Sequence, residues 1–435
     1  MRGKGITILK NIITTDEIDE FLNIAKYTNQ SIFLTGKAGT GKSKTIDRFI
    51  AETTKNVVVL APTGIAAVGV GGQTIHSFFK LQNSEPRANI KYNAGRSEIF
   101  SQIDTIIIDE ISMVRADILD AVDISLRVNL QSGNSLTGKP FGGVQIIFVG
   151  DLFQLPPVVT NEDRQMISFE YKSEYFFDAN CMRKHEYKFI ELSTIFRQTG
   201  NDEKFKTLLN NIRVNSPQID FELLNSRYSS NDNDGIYLTS RRVTAEQINE
   251  SKLNAIDSGF HNYHAEKSGE FSKSAYPAPE LLKIKKGASI MMLNNDIGGR
   301  WANGSIGKVV NCWCNNIDVN IGGNIYSVSE YSWKKYEYIA DEETGKISKI
   351  VVAEYTQIPI QLAYAITIHK SQGQTFDNVV IDIANGAFAH GQIYVALSRC
   401  RTLEGVILKQ KIKKQDVIVD KRIIEYYEKI RICKR

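Results

Sequence analysis

The stretch SIFLTGKAGTGKS, residues 31–43, predicts a short apolar strand, a glycine-rich loop and the start of a helix. Its last eight residues fit the pattern G-x-x-x-x-G-K-[ST]. The glycines allow successive backbone N–H groups to point into one concavity, and the following helix presents its N-terminus to the same place. The stretch therefore predicts a phosphate-binding loop, which we favour over a glycine-rich turn that binds nothing.

The loop offers groups suited to a nucleoside triphosphate and its magnesium ion. Lys42 would reach the β- and γ-phosphate oxygens, and Ser43 would offer its hydroxyl to Mg²⁺. The residues predicted to bind nucleotide here are Gly36, Ala38, Gly39, Thr40, Gly41, Lys42, Ser43 and Lys44.

A second apolar strand, in TIIIDE at residues 105–110, ends in two carboxylates. A buried strand does not carry paired carboxylates without a use, because burying charge is costly. Asp109 is the predicted Mg²⁺ ligand, and Glu110 would polarise the attacking water. This division of roles is typical of a hydrolase rather than a kinase.

A third strand, in VQIIFVGDLFQLPPV at residues 144–158, is followed by a polar side chain held between rigid neighbours. Pro156 and Pro157 restrict the chain just after Gln154. An amide can donate and accept, so Gln154 suits a group that contacts the γ-phosphate or the attacking water and loses that contact after hydrolysis.

The 435-residue chain has an ordinary globular composition, with 42% hydrophobic and 23% charged residues and a net charge of +4. That charge permits nucleic-acid binding without arguing for it. Five cysteines without a paired or zinc-binding pattern indicate a reducing compartment. Because no apolar run approaches the roughly 18 residues of a membrane span and no targeting segment is evident, we expect a cytoplasmic protein, nucleoid-associated if bacterial, without a membrane partner.

The order of predicted elements indicates the α/β class. Apolar strands alternate with helices up to about residue 190, and the same alternation returns at GIYLTS, residues 235–240, and at NVVIDIA, residues 378–384. Between them, about 258–357, short strands with Gly and Asn turns predict a small antiparallel barrel or sheet. The chain therefore predicts two α/β domains, the second interrupted by an insertion.

Further motifs resemble those of superfamily 1B DNA helicases in order and spacing. The stretch from ILDAVD at residue 118 to LPPV at residue 158, which includes PFGGVQ, resembles the signature of the Pif helicase family in a compact bacterial or phage-type form. The whole resemblance covers about residues 30–408. The other motifs are APTGIAA (61–67), GGQTIHSFF (71–79), AITIHKSQGQTFDNVVID (365–382) and GQIYVALSRCR (391–401).

This resemblance implies two RecA-like parallel-sheet P-loop domains with ATP in the cleft between them. The first domain would span residues 1–190 and contain a small wedge insertion at about 64–100. The second would comprise 191–257 and 358–435, and the inserted β-barrel 258–357.

The resemblance also assigns roles to residues. Arg197 and Arg399 would reach the γ-phosphate, joining Lys42, Glu110 and Gln154 as the catalytic set, and Gly373 would contact nucleotide. The implied DNA contacts are Pro62, Thr63, His76, His369 and Lys370. Phe78 and Phe79 fit either the core or a base stack, and we favour the core for at least one of them.

The implied function is an ATP-dependent 5′-to-3′ DNA helicase that uses ATP and Mg²⁺, acts on single-stranded and forked DNA, and is a monomer in solution. Four-stranded guanine structures and RNA–DNA hybrids are further candidate substrates. The alternatives are a single-strand-binding ATPase switch without processive unwinding, and a small-molecule kinase, which Asp109 and Glu110 disfavour. One departure from the family is that Glu17 and Ile18 stand where it has an adenine-reading glutamine.

The basic C-terminal tail, residues 409–435, admits two interpretations. Its lysines and arginines could contact DNA, but its apolar residues recur near helical spacing. We favour a docked amphipathic helix with a solvated basic face. The apolar residues concerned are Ile418, Ile423, Ile424, Tyr427 and Ile430.

Overall fold

The fold is known from a computed structural model that describes residues 15–82, 85–130, 138–196, 202–231, 235–271, 273–341, 346–383 and 386–433. In these ranges two sheets are parallel and three are antiparallel, which confirms the predicted α/β class with an antiparallel insertion. No helix within them is long and apolar enough to cross a membrane.

The first unit is a six-stranded parallel sheet of order β3-β2-β4-β5-β1-β6. Its strands are β1 (Ser31–Gly36), β2 (Val57–Ala61), β3 (Gln73–Thr74), β4 (Thr105–Ile108), β5 (Gln145–Val149) and β6 (Tyr187–Leu192). Its helices are α1 (Asp16–Tyr27), α2 (Lys42–Glu52), α3 (Gly64–Gly69), α4 (Ile75–Phe79), α5 (Ala94–Ser101), α6 (Ala116–Leu130) and α7 (Asn161–Glu170).

The central strands β4, β5 and β1 are adjacent, and every residue in them is buried. Their uninterrupted apolar character follows because both faces of the sheet are covered. Parallel strands bring their carboxyl ends to the same edge, so the chain segments that follow all three strands meet there. The predicted nucleotide site is built at this edge.

The PFGG signature forms a tight turn beneath β5. Phe141 has a left-handed φ of +55°, and its N–H donates to Asp123 Oδ1 at 2.6 Å. The fully buried Phe141 ring packs edge-on against the ring of His185 (4.8 Å between centroids) and that of Phe148 (6.1 Å). This part of the signature therefore packs in the core and has a structural role; it does not reach the predicted nucleotide site.

The second unit begins with α8 (Glu203–Arg213), α9 (Phe221–Asn225), β7 (Ile236–Thr239) and α10 (Arg242–Asn254). The insertion follows with β8 (Phe260–His264), β9 (Glu266–Ser268), β10 (Leu281–Lys285), β11 (Ser289–Met292), β12 (Ile306–Cys312), β13 (Asn316–Ile321), β14 (Asn324–Ser329), β15 (Tyr331–Asp341), β16 (Lys346–Gln357) and β17 (Ile360–Leu362). The chain then returns through β18 (Ala365–Thr367), β19 (Val379–Asp382), α11 (Gln392–Ser398) and β20 (Val406–Leu408), and α12 (Lys421–Cys433) ends the described chain.

The second unit has a four-stranded parallel sheet of order β18-β7-β19-β20. The insertion forms antiparallel sheets of five strands (β14-β13-β12-β11-β17), three strands (β15-β16-β9) and two strands (β10-β8). Its long β15–β16 hairpin reaches back to the first unit, where the Tyr338 hydroxyl accepts a hydrogen bond from Val59 N at 2.9 Å. The insertion is thus anchored on the first sheet as well as on the second unit.

Helix α12 docks as an amphipathic helix, as predicted for the tail. It packs on the first sheet, although the sequence assigns residues 358–435 to the second domain. The Tyr427 hydroxyl lies 2.9 Å from Thr35 Oγ1, and the Tyr426 hydroxyl lies 2.8 Å from that of Tyr187. Aromatic rings of β1 and β6 pack against this helix. The C-terminal segment therefore passes from the second unit to the first and connects the two.

The two units also meet at the start of α11. His390 Nδ1 accepts from Asp420 N at 3.0 Å, which leaves Nε2 to donate to Leu152 O at 2.8 Å. Gly391 has a left-handed φ of +74°, and a Cβ there would lie 2.5 Å from Gln154 O and 2.6 Å from Phe153 O. Only glycine allows the second unit to approach the loop after β5 this closely.

Gly391→Ala is expected to destabilise the chain by about 1–3 kcal/mol, because the added methyl group collides with backbone and the left-handed conformation disfavours it. Thermal unfolding would show a lower Tm. Gly259→Ala is the matched control, because a Cβ there meets no atom within 4 Å. Equal Tm values for the two variants would contradict this close approach.

His185→Phe is expected to reduce the acid sensitivity of the fold. Burial lowers the pKa of His185 to about 4, and its Nε2 makes no hydrogen bond among the described residues. Below about pH 6.5 the unfolded chain takes up a proton that the folded chain refuses, so wild-type stability falls as pH falls, by up to about 2 kcal/mol at pH 5. The Tm difference between pH 7.5 and pH 5 should shrink in the variant, and it should not shrink in His261→Phe, whose histidine is exposed on β8.

Candidate nucleotide and nucleic-acid site

The phosphate-binding loop lies between β1 and α2, as predicted. Lys42 Nζ donates to Gly36 O at 2.7 Å and to Lys37 O at 3.2 Å, so the ammonium group is held over its own loop. A Cβ on Gly36 would lie 2.6 Å from Thr40 Oγ1 and 2.9 Å from Leu192 O, which leaves no room for a side chain. Gly41, with φ +85°, then turns the chain into α2.

Asp109 and Glu110 follow β4 at the same edge of the sheet. Glu110 has a left-handed φ of +49°, unusual for this residue type, and its N–H donates to Asp109 Oδ1 at 2.9 Å. Burial, reinforced by the charge of Asp109, raises the pKa of Glu110 to about 7, and burial also raises the pKa of Asp109. A carboxyl with a pKa near neutrality suits a general base.

The donor set at this edge fits Mg²⁺ bound with a nucleotide. No cluster of three or more His, Cys, Asp or Glu side chains within the described ranges could hold a metal without other ligands. Magnesium commonly binds through one or two protein oxygens together with substrate phosphates and water. Ser43, at the second position of α2, and the partly buried Asp109 carboxylate suit that role.

Asp151, which follows β5, joins the loop to the second unit. Its carboxylate is fully buried and accepts from Arg213 Nη2 at 2.8 Å and from the Tyr394 hydroxyl at 3.2 Å. The same hydroxyl accepts from Ala38 N of the loop at 3.0 Å. Burial alone would raise the pKa of Asp151, but the charges of Arg213 and Lys42 hold that pKa below its usual value.

The sequence did not predict Arg213 or Tyr394 as members of the site. Tyr394 lies in the motif GQIYVALSRCR, so its position beside an assigned arginine was a usable signal. Arg213 lies at the end of an ordinary amphipathic helix, α8, and no motif marks it.

Gln154 shares a hydrogen-bond donor with Glu110, and it is only 6% exposed. Its Oε1 accepts from Gln372 Nε2 at 3.2 Å, and the same nitrogen donates to Glu110 Oε2 at 3.0 Å. Gln372 belongs to the second unit and was not predicted, although it stands within the HKSQGQ motif. The exposed Gly373, predicted to contact nucleotide, follows it with φ +80°.

Of the two arginines predicted to reach the γ-phosphate, the structure describes only Arg399. Arg399 is 1% exposed, and its guanidinium donates to Val395 O at 3.0 Å and to Ser371 O at 3.3 Å, within its own unit. Arg197 lies outside the described residues. The residue before it, Phe196, donates its N–H to Gly39 O of the phosphate-binding loop at 2.8 Å.

Three of the five predicted DNA contacts share a surface cleft of about 190 Å³ in the first unit. Pro62, Thr63 and His76 line it together with Arg115 and apolar side chains. Burial, followed by the charge of Arg115, lowers the pKa of His76, so its imidazole is neutral at physiological pH. Phe78 and Phe79 do not line it, and both rings are buried in the core, 4.9 Å apart.

The other two predicted DNA contacts, His369 and Lys370, lie on the turn that follows β18 in the second unit. Lys370 is exposed, and its N–H donates to Thr367 Oγ1 at 3.2 Å. Burial lowers the pKa of His369. The predicted contacts therefore form two groups, one in each unit.

At the position of the adenine-reading glutamine, the start of α1 offers no amide side chain. Ile18 is buried in the core, and Glu17 Oε1 accepts from Ser193 Oγ at 2.6 Å.

Comparisons with known proteins agree with this geometry. Residues 14–216 match the model of the PIF1-like helicase family, and residues 362–407 match that of the UvrD-like helicase C-terminal domain. The chain is 33% identical to the ATP-dependent DNA helicase Pif1 of Bdellovibrio bacteriovorus, with 92% of this chain and 89% of that protein covered. It is 32% identical to human ATP-dependent DNA helicase PIF1 over 92% of this chain, but spans only 62% of that protein.

Two solved structures of Pif1 from Bacteroides are also similar. The complex with ADP-AlF4 has a TM-score of 0.89 at 36% identity, with 97% of this chain and 98% of that chain covered. The form bound to single-stranded DNA has a TM-score of 0.68 at 37% identity, with 96% and 97% covered. The chain therefore belongs to the PIF1-like helicase family, whose members are ATP-dependent DNA helicases.

Proposed function

We propose that the chain moves 5′ to 3′ along single-stranded DNA and unwinds duplexes by opening and closing the cleft between its two units. One observation supports coupling between DNA binding and ATP hydrolysis. Gln372, on the turn that bears His369 and Lys370, is hydrogen-bonded to both Glu110 and Gln154. A displacement on one side of the cleft must therefore affect the other. The 5′-to-3′ polarity rests on the family resemblance.

In the proposed hydrolytic step, Lys42 leaves its loop carbonyls for the phosphate oxygens, and Glu110 accepts a proton from the attacking water. A magnesium ion held by Ser43 and Asp109 would neutralise charge on the phosphates. Gln154 orients the water or the γ-phosphate. Arg399 and Arg197 are the proposed γ-phosphate arginines, and Arg399 must turn out of its own unit to serve.

A change in the arrangement of the units is part of the proposal. The relative bound to single-stranded DNA matches this structure less well than the relative bound to ADP-AlF4, although their sequence identities are nearly equal. This difference supports a rearrangement when a strand binds. The proposed first domain spans 1–190, with the wedge at about 64–100. The proposed second domain comprises 191–257 and 358–435, with its terminal helix packed on the first domain, and the inserted barrel spans 258–357.

Single-stranded and forked DNA are the proposed partners. The cleft beside Pro62, Thr63 and His76 and the turn bearing His369 and Lys370 offer hydroxyl, imidazole, ammonium and backbone groups. Such groups bind the sugar–phosphate backbone without reading sequence. Four-stranded guanine structures and RNA–DNA hybrids remain candidate substrates, and a monomer is the proposed solution state.

A duplex with a 5′ single-stranded tail should be unwound with ATP and Mg²⁺, whereas the same duplex with a 3′ tail should not. Strand separation on native gels provides the measurement, and omission of Mg²⁺ should abolish it. Unwinding from the 3′ tail alone would refute the proposed polarity. Strand binding and ATP turnover with no unwinding of either substrate would favour the ATPase-switch alternative.

Lys42→Ala should lower ATP turnover by about 10²–10³-fold or more, since it removes the cation that faces the transferred phosphoryl group. Binding of single-stranded DNA, followed by fluorescence anisotropy, should largely survive. Arg48→Ala is the control on the same helix, because Arg48 pairs with Glu52 away from the loop. Turnover that persisted in Lys42→Ala would mean that the loop is not the catalytic phosphate site.

A further inference from the structure

The turn between β18 and β19 is a compact unit held by its own backbone. Ser371 N donates to Thr367 O at 3.0 Å, Gln372 N donates to His369 O at 3.2 Å, and Gln374 N donates to Ser371 O at 3.0 Å. Arg399 Nη1 donates to the carbonyl of Ser371 from below. Because these bonds cross-link the turn, a displacement of His369 carries Gln372 with it.

The side chain of Gln372 crosses the cleft and commits one nitrogen to two acceptors of the first unit. Nε2 lies 3.0 Å from Glu110 Oε2 and 3.2 Å from Gln154 Oε1. Of the groups described in the cleft, Glu110 is the proposed base and Gln154 the proposed γ-phosphate contact. Gln372 thus contacts both groups on which hydrolysis depends.

This contact opposes catalysis as long as it persists. The N–H of Gln372 occupies an acceptor position on Glu110 Oε2 that the attacking water would otherwise use. It also holds the carboxylate oriented toward Gln372, and a general base must be within hydrogen-bonding reach of the proton that it takes. The Gln154 carbonyl oxygen is likewise engaged with Gln372, which leaves it one lone pair and holds its orientation toward Gln372.

We propose that Gln372 is a positioning residue that keeps ATP turnover low until single-stranded DNA binds. This inference rests on the proposed function, since it takes His369 and Lys370 as DNA contacts. A strand bound to those residues, three and two positions before Gln372, shifts the turn and withdraws the amide. Glu110 and Gln154 are then free to act on the water and the γ-phosphate. DNA dependence of hydrolysis is in this way built into one side chain.

The test is steady-state ATP turnover of the full chain, with and without saturating single-stranded DNA, in Gln372→Leu and the wild type. Leucine has nearly the size of glutamine and no donor. The DNA-free kcat should rise roughly tenfold, as expected for loss of one hydrogen bond to a charged group. The KM for ATP should stay the same, and the ratio of stimulated to DNA-free turnover should fall.

Gln374→Leu is the matched control, two residues further along the same turn. Gln374 Oε1 makes no hydrogen bond among the described residues, and its side chain packs near Gly304 of the insertion. Its DNA-free turnover and stimulation should match the wild type. If Gln372→Leu folds poorly, Gln372→Asn can replace it, because asparagine retains the amide but shortens its reach. The DNA-free turnover of Gln372→Asn should change in the direction expected for Gln372→Leu.

Three negative outcomes are distinguishable. If wild-type turnover did not respond to single-stranded DNA, the proposed function would fail and this inference with it. If wild-type turnover were stimulated normally while the Gln372 variants kept the wild-type DNA-free rate, only the inference would be overturned. Equal falls in DNA-free and stimulated kcat would also overturn it, because they would indicate a merely structural role.

Discussion

The buried charge of Asp151 is the constraint around which the cleft is arranged. A carboxylate at the carboxyl edge of a core sheet is tolerated only when it is paired and hydrogen-bonded, and removal of one partner of such a pair costs about 3–5 kcal/mol. Here the partners come from the second unit, Arg213 from α8 and Tyr394 from α11. The requirement to neutralise one charge therefore holds the two units together directly behind the phosphate-binding loop.

Around this fixed point lie the groups that are proposed to act in hydrolysis. Glu110 is held in a left-handed conformation, and such backbone strain concentrates at functional sites. Lys42 donates to its own loop, and Arg399 to the backbone of its own unit, so the proposed hydrolytic step requires both to exchange these partners for phosphate oxygens. Under the proposed function, closure of the cleft and assembly of the catalytic groups are one event, as expected for an enzyme that couples hydrolysis to movement.

Local chemistry made part of this structure predictable. A glycine-rich loop, an apolar strand and a carboxylate at a strand end are each recognisable from a few consecutive residues. Their order along the chain was enough to predict the parallel sheet, the loop and the positions of Asp109, Glu110 and Gln154. Pairings between distant elements could not be placed this way. Tyr394 meets Ala38, 356 residues away in sequence, and Gln372 meets Glu110, 262 away. The helical pattern of the tail predicted that α12 docks. It could not predict the docking surface, because that surface is formed by aromatic rings of β1 and β6, which are distant in sequence.

The most direct test of coupled movement needs no duplex. The chain would be mixed with ATP and single strands of increasing length that carry a fluorophore at the 5′ or the 3′ end, and its arrival would be followed by stopped-flow fluorescence. Movement from 5′ to 3′ predicts a lag that grows with strand length at the 3′ label and no such lag at the 5′ label. Signals independent of length at both ends would contradict directional movement and would leave an ATPase that binds DNA without moving along it.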